Sequence, residues 1–160
     1  MVLKLVTPVV GSTMNDMKKN IILDRGDVRC PIAAASAVLT DQWSVIVLRD
    51  IAFFGRRTFS DIISTNNEKI QSSTLAKRLK RLVDVGLLRF EGDETHSQRK
   101  IYCLTQAGID LVPIIIGMAA WSSTHHIHDA HSIEFLKPLQ EKNNPALEEF
   151  VEKLRKEHLN

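Results

Sequence analysis

Hydrophobic residues recur at helical spacing along the middle of the chain. The segments CPIAAASAVLT, WSVIVLRDIAFF and RRTFSDIIS each predict a helix, and the second is so apolar that it should be the central core element. Asp41 is placed to cap this second helix, Gly55 to end it, and Thr58 to cap the third. The polar stretch TNNEKIQ predicts a turn, and SSTLAKRLKRLVDV then predicts a fourth helix that Gly86 ends.

The hydrophobic period changes after the fourth helix. LLRFEG and RKIYCLT predict two β-strands, joined by a polar hairpin loop from Asp93 to Gln98. Thr105 is placed to cap a last long helix, QAGIDLVPIIIGMAAWSS, which Pro113 should kink without ending. The predicted fold is mainly α (α+β). We expect a flexible arm at residues 1–27, a domain at 28–124 and a helical C-terminal extension at 125–160.

The fourth predicted helix has one apolar edge and one basic edge. On a helical wheel Leu75, Leu79 and Leu82 fall within an arc of about 60°. Many charge runs are only a solvated helix face. Here, however, a short helix precedes the basic one across a tight turn and a hairpin follows, which is the arrangement of a winged helix-turn-helix. Its second helix can enter the major groove of double-stranded DNA, with the hairpin as the wing.

The type of each side chain predicts its role on DNA. Short polar side chains at the start of the fourth helix suit base edges, and cations suit phosphates. The expected DNA-binding residues are Ser72, Ser73, Thr74, Lys77, Arg78, Lys80, Arg81, Arg99, Lys100, Arg56 and Arg57. The alternative is a winged helix that uses the same basic face to bind an acidic protein.

Charge and composition support an intracellular binding protein. The net charge is only +2, but six cations face a single anion between Lys69 and Arg89. Such local concentration of charge favours a polyanionic partner. No apolar run approaches the roughly 18 residues of a membrane span, and MVLKLVTPVVG makes a poor signal peptide. Two cysteines fit a reducing compartment, so we expect a cytoplasmic protein with no membrane partner.

Residues from about Cys30 to Trp121 resemble the HxlR-type family of bacterial, MarR-like winged helix-turn-helix transcription regulators. The pieces that carry the resemblance occur in the same order, and they are CPI, DQWSVIVLRDI, FGRRTFSDI, SSTLAKRLKRLVDVGLL and RKIYCLTQAG. The resemblance implies a DNA-binding regulator of transcription that dimerises through terminal helices. This chain departs from the family pattern at Thr40 and Asp41, where the family often has two glycines.

The last long helix is apolar on almost every side, which predicts a partner. A small domain covers only one side of a terminal helix, so the other side should meet a second copy of the chain. A homodimer would place two recognition helices on a pseudo-palindromic operator. The expected dimerisation residues are Ile32, Val112, Ile115, Ile116, Ala119 and Trp121. Alternatively, the tail helix near PALEEFVEKLRKEH folds back over this surface.

Cysteine and histidine residues offer two further possibilities. Cys30 precedes Pro31 at a predicted helix start beside Arg29, where the helix dipole and the cation favour a reactive thiolate. Cysteines in this place of HxlR-type regulators imply sensing of oxidants or electrophiles; otherwise Cys30 packs at the dimer seam, and Cys103 is expected to be inert. His125, His128 and His131 share a spacing that could hold zinc, but such histidines are often surface residues, so no metal site is predicted.

No pattern in the chain indicates catalysis. The sequence has no glycine-rich phosphate loop, no zinc-protease pairing and no nucleophile elbow. A site built from Cys30 and a tail histidine would require the fold to bring them together. We therefore expect a protein that is not an enzyme and needs no cofactor, with any small-molecule effector unknown.

Overall fold

The computed structural model describes residues 30–93, 96–125, 134–139 and 145–159 of the chain. The elements in these ranges are α1 (Pro31–Leu39), α2 (Gln42–Phe54), α3 (Phe59–Thr65), α4 (Ser72–Asp84), β1 (Leu88–Asp93), β2 (His96–Leu104), α5 (Gln106–Asp110), α6 (Val112–His125), a 3₁₀ helix (Glu134–Leu139) and α7 (Pro145–His158). This order confirms the predicted winged helix-turn-helix of mainly α structure. The arm expected at residues 1–27 lies outside the described residues.

The core forms where α2 and α4 pack together, as the apolar pattern predicts. Val47, Leu48 and Ile51 of α2 are at most 1% exposed. The leucine stripe of α4 (Leu75, Leu79 and Leu82) packs into the same cluster. Because the stripe occupies one side of α4, its burial directs the polar side of that helix outward.

The helix ends follow the predicted signals, with one difference. Gly55 ends α2 in the left-handed region at φ 62°, and Thr58 caps α3 in a reciprocal capping box with Asp61. Asp41 occupies the N-cap position of α2, but its side chain accepts no hydrogen bond from that helix's backbone. Its Oδ2 atom instead accepts a hydrogen bond from the Ser44 hydroxyl, so the predicted position is right and the predicted contact is wrong.

The hairpin is longer than the sequence predicts. Strands β1 and β2 pair antiparallel from Leu88 with Leu104 to Asp93 with His96. Residues 96–98, which we assigned to the loop, therefore belong to β2. The other edge of β2 touches the start of α3, because the N–H of Tyr102 donates to the carbonyl of Arg57 over 2.7 Å.

The predicted last helix is two helices. The helix is interrupted at Leu111, two residues before Pro113, and α6 begins at Val112. Proline removes a backbone donor and clashes with the preceding turn, so a break just before it is expected. At the start of α5 the backbone passes so close to the turn after α4 that a Cβ atom on Gly108 would lie 2.3 Å from the carbonyl oxygen of Leu87.

The C-terminal helix α7 folds back onto the domain. The ring of Phe150 stacks on Phe53 of α2 with centroids 5.4 Å apart, and Leu154 is 1% exposed. At its end His158 is also buried, and its Nδ1 accepts a hydrogen bond from the N–H of Leu104 over 3.2 Å. Burial, helped by the nearby Arg57, lowers the pKa of His158 to about 4.

One described segment has the length and composition of a membrane span, contrary to the expectation that no such run exists. Gln106–His125 covers 20 residues with a mean hydropathy of 1.3. The fold gives these residues another role, since Ile109, Val112 and Ile116 pack in the core. Part of this apolar segment therefore belongs to the interior of the domain.

Candidate nucleic-acid interface

Helix α4 presents an open polar face. Ser72, Ser73 and Lys77 are exposed along it, and Thr74 is half-buried. The helix begins directly after the polar turn at residues 66–71 and ends before the hairpin. The predicted amphipathic geometry of α4 is therefore confirmed, and its outward side is the candidate surface for a polyanion.

The cations of α4 are not equivalent. Lys77 is exposed and forms no ion pair with any residue in the described ranges. Lys80 Nζ lies 2.5 Å from Asp84 Oδ2, and both side chains are largely exposed. Exposed pairs of this kind contribute only about 0.3–0.5 kcal/mol. Lys77 and Lys80 are therefore the two cations most accessible to a phosphate.

Arg78 and Arg81 turn toward the protein instead. Arg78 Nε lies 2.6 Å from Asp41 Oδ2, and Arg81 Nη1 lies 3.8 Å from the same atom. Arg81 Nη2 also donates to the carbonyl of Ala37 in α1 over 2.7 Å. The basic surface is thus narrower than four cations in five positions suggest. No sequence signal shows this, because the pairing depends on how α4 docks against the corner between α1 and α2.

A buried polar network supports the turn before α4. Asp50, on the apolar helix α2, is 0% exposed. Its Oδ1 accepts from Arg49, and its Oδ2 accepts from the Asn66 amide over 3.2 Å. Asn66 Oδ1 in turn accepts from the backbone N–H of Ile70 over 3.3 Å. This network links α2 to the turn, and an acidic residue inside an apolar helix was a signal that sequence reasoning missed.

The outer end of the network is charged as well. Arg49 donates to both carboxylate oxygens of Glu68 in the turn. Hydrogen bonding from Arg49 lowers the pKa of Glu68. The turn that positions α4 is therefore held by one buried and one exposed carboxylate, with Arg49 between them.

Arg56 and Arg57, which we expected at phosphates, are both half-buried and contact the protein. The guanidinium of Arg56 lies 4.6 Å above the Phe54 ring and 3.5 Å from Asp50. Arg57 donates from Nε to the carbonyl of Tyr102 over 3.2 Å and from Nη2 to the sulfur of Cys103. Both side chains thus brace the fold, and their contact with DNA stays a prediction.

The wing carries cations on its surface. Arg99 and Lys100 are exposed. Arg99 Nε lies 3.6 Å from Asp93 Oδ2, and Lys100 Nζ lies 4.2 Å above the Phe90 ring. The side chains of residues 96–98 lie outside the described part of the chain.

The apolar surface of α6 differs from the expected dimerisation set. Val112, Ile115 and Ile116 are buried in the chain's own core, so they are not available to a partner. Ile114, Met118 and Trp121 are exposed on the other side of the helix, at 46%, 43% and 61%. Helix α7 packs elsewhere, on α5 and the 3₁₀ helix. Ile32 on α1 is exposed as expected, and Ala119 is half-buried.

The two cysteines occupy opposite environments. Cys30 is exposed at the start of α1, and Cys103 is buried. Of the tail histidines, only His125 lies in the described ranges, and no group of three potential metal ligands occurs within those ranges. His126, His128 and His131 lie outside them, so the possible zinc cluster stays untested.

Comparison with known proteins relates the chain to one family. A family model described as HxlR-like helix-turn-helix matches residues 38–130, more than half of the chain. An uncharacterised HTH-type transcriptional regulator of Mycobacterium tuberculosis is 33% identical over 94 residues. That match covers 59% of this chain and 58% of the relative, so the chain spans little more than half the length of this relative.

Two further relatives extend the comparison. An uncharacterised HTH-type transcriptional regulator of Methanothermobacter thermautotrophicus is 28% identical over 113 residues, which cover 69% of this chain and 85% of the relative. The crystal structure of PA1607, described as "a Putative Transcription Factor", superposes with a TM-score of 0.57 at 28% identity. It covers 64% of this chain and 69% of that protein. These names point to regulators of transcription and not to enzymes.

Proposed function

The chain belongs to the family of HxlR-like helix-turn-helix proteins, and on that basis we propose that it regulates transcription in the cytoplasm. It does so as a homodimer bound to a pseudo-palindromic operator in double-stranded DNA. The observation that carries this proposal is the outward polar face of α4, which the buried leucine stripe holds between the turn and the wing. A helix presented in this way enters the major groove.

The residues on the polar face of α4 and on the wing have different roles in DNA recognition. Ser73 and Thr74 lie in the first turn of α4, where short polar side chains approach base edges. Lys77 and Lys80 supply contacts to phosphates, which set affinity and its dependence on salt. Arg99 and Lys100 extend the contact along the backbone of the duplex beside the groove.

Charge removal on α4 tests the proposal. Lys77→Ala combined with Lys80→Ala should weaken binding to a promoter fragment about tenfold at 0.1 M salt and flatten the salt slope by about 2, because two phosphate contacts are lost. The measurement is fluorescence anisotropy over a salt series, after a genomic footprint has located the operator.

A matched control removes the same charge from α7. Lys153→Ala with Lys156→Ala lies on an exposed part of that helix and should leave the slope unchanged. Equal slopes for both double variants would exclude α4 as the DNA-binding face. If the chain binds an acidic protein but does not bind duplex DNA, the alternative of a protein-interaction module is favoured.

The dimer is supported by the exposed apolar residues of α6. Ile114, Met118 and Trp121 form a hydrophobic surface that a second copy would bury. Met118→Glu should weaken self-association at least tenfold, since a carboxylate in such an interface loses its hydration. Analytical ultracentrifugation measures the effect. Glu149→Gln, an exposed change on α7, serves as the neutral control, and a Met118→Glu protein that stays dimeric would rule out this surface.

Response to oxidants or electrophiles through Cys30 completes the proposal. A sensing thiol must be accessible, and Cys30 is exposed whereas Cys103 is buried. Cys30→Ser should therefore abolish any loss of DNA binding caused by diamide. A variant that remains equally sensitive would remove Cys30 from this role.

A further inference from the structure

We propose that Asp41 restrains sequence-independent DNA binding by withholding Arg78 and Arg81 from phosphates. This inference rests on the proposed function, because it concerns the same helix and the same ligand.

The Asp41 carboxylate is held by a residue of its own helix as well as by the arginines. The Ser44 hydroxyl donates to Oδ2 over 2.5 Å from the first turn of α2. The same oxygen lies 2.6 Å from Arg78 Nε and 3.8 Å from Arg81 Nη1. The side chain of Asp41 is only 14% exposed, so solvent screens these contacts less than it screens a surface pair.

The contact with Arg78 is incomplete. Its Nε is the one buried side-chain nitrogen or oxygen in the described ranges that has no hydrogen-bond acceptor in the required direction. The short distance to Asp41 is therefore an electrostatic contact without a directed hydrogen bond. A buried donor without an acceptor is unfavourable, so Arg78 would gain by turning to a phosphate oxygen once the attraction of Asp41 is removed.

Arg81 lies on the side of α4 that faces outward. It follows Lys77 by four positions, which places it about 40° away around the helix axis. Its side chain is 42% exposed, and its hydrogen bond to Ala37 directs the guanidinium toward α1. Removing the negative charge of Asp41 weakens the attraction that keeps both guanidinium groups at this corner.

Sequence-independent binding depends mainly on how many phosphates a protein neutralises. Four cations on α4 would make any duplex attractive. Asp41 neutralises part of that charge and leaves Lys77 and Lys80 as the outward cations. The carboxylate thereby lowers affinity for random DNA while the residues suited to base edges remain exposed.

The test uses a 30-base-pair duplex of random sequence and the full chain. Asp41→Asn keeps a side chain that suits an N-cap, so α2 should still form. It should tighten binding to this duplex about three- to tenfold at 50 mM salt and steepen the salt slope by about 1–2, as one or two more phosphates are engaged. Glu149→Gln on α7 makes the same change in net charge and should shift neither quantity.

Variants of the two arginines provide a second test, which does not depend on whether Asp41→Asn folds. Arg78→Gln with Arg81→Gln should leave the slope of the wild-type chain almost unchanged, because both arginines are withheld, and should cancel the effect of Asp41→Asn. The inference is overturned if Arg78→Gln with Arg81→Gln flattens the salt slope of the wild-type chain by about 2. It is also overturned if Asp41→Asn has the same affinity and salt slope as Glu149→Gln. A wild-type chain that binds no duplex at 50 mM salt would instead overturn the proposed function.

Discussion

Replacement of Asp50 with alanine should lower the free energy of unfolding by about 3–5 kcal/mol. The carboxylate is 0% exposed and lies 2.7 Å from Arg49 and 3.5 Å from Arg56. Without it, two guanidinium groups and the Asn66 amide lose their shared acceptor inside the fold. A domain of this size has a stability of only about 5–15 kcal/mol, so the loss would remove a large part of it.

Urea unfolding followed by circular dichroism measures this loss. Asp84→Ala is the matched control, because it removes a carboxylate from an exposed ion pair and should change stability by less than about 1 kcal/mol. Asp50→Asn should fall between the two, since its amide oxygen still accepts from Asn66. If Asp50→Ala proved as mild as Asp84→Ala, Asp50 would not be the anchor of the turn before α4.

Acid should destabilise the chain through His158. Its pKa is lowered to about 4 by burial, with a further contribution from Arg57, whereas an unfolded histidine titrates near 6.5. The unfolded chain therefore binds the proton more readily in this range, and stability falls as the pH drops from about 7 toward 4. The expected loss is about 2 kcal/mol by pH 5 and about 3 kcal/mol by pH 4.

Chemical denaturation at a series of pH values between 7 and 5 tests this prediction. Within that window few carboxylates titrate, so histidine dominates the slope. His158→Gln should flatten the slope because the amide does not titrate, although it can still accept from the N–H of Leu104. His125→Gln, at an exposed site, should leave the slope as in the wild type. Identical slopes for wild type and His158→Gln would refute the assignment.

The elements of the fold were predictable because each has a local signal. The leucine stripe of α4, the capping threonines Thr58 and Thr105, and Gly55 act over a few residues, and the structure confirms each of them. The hairpin was predicted correctly, but its predicted loop is too long. Polar residues such as His96 can pair in a strand when a partner lies opposite.

The candidate site was less predictable, because it depends on contacts between distant residues. The sequence predicts Arg78 and Arg81 to bind DNA. In the structure they contact Asp41 and Ala37, which lie about forty positions earlier in the chain. Similarly, the sequence alone does not show which apolar residues of α6 face the core and which face outward. That division depends on how the break at Leu111 orients the helix against α2.

The contact between Arg57 and β2 makes the helix pair and the wing a single mechanical unit. Arg57 and Tyr102 exchange hydrogen bonds in both directions, and the guanidinium also reaches Cys103. The hairpin therefore cannot swing without carrying α3 along. In the proposed complex with DNA, the distance between the contacts of α4 and those of the wing is therefore fixed, and a regulatory change would reorient the helix pair and the wing together.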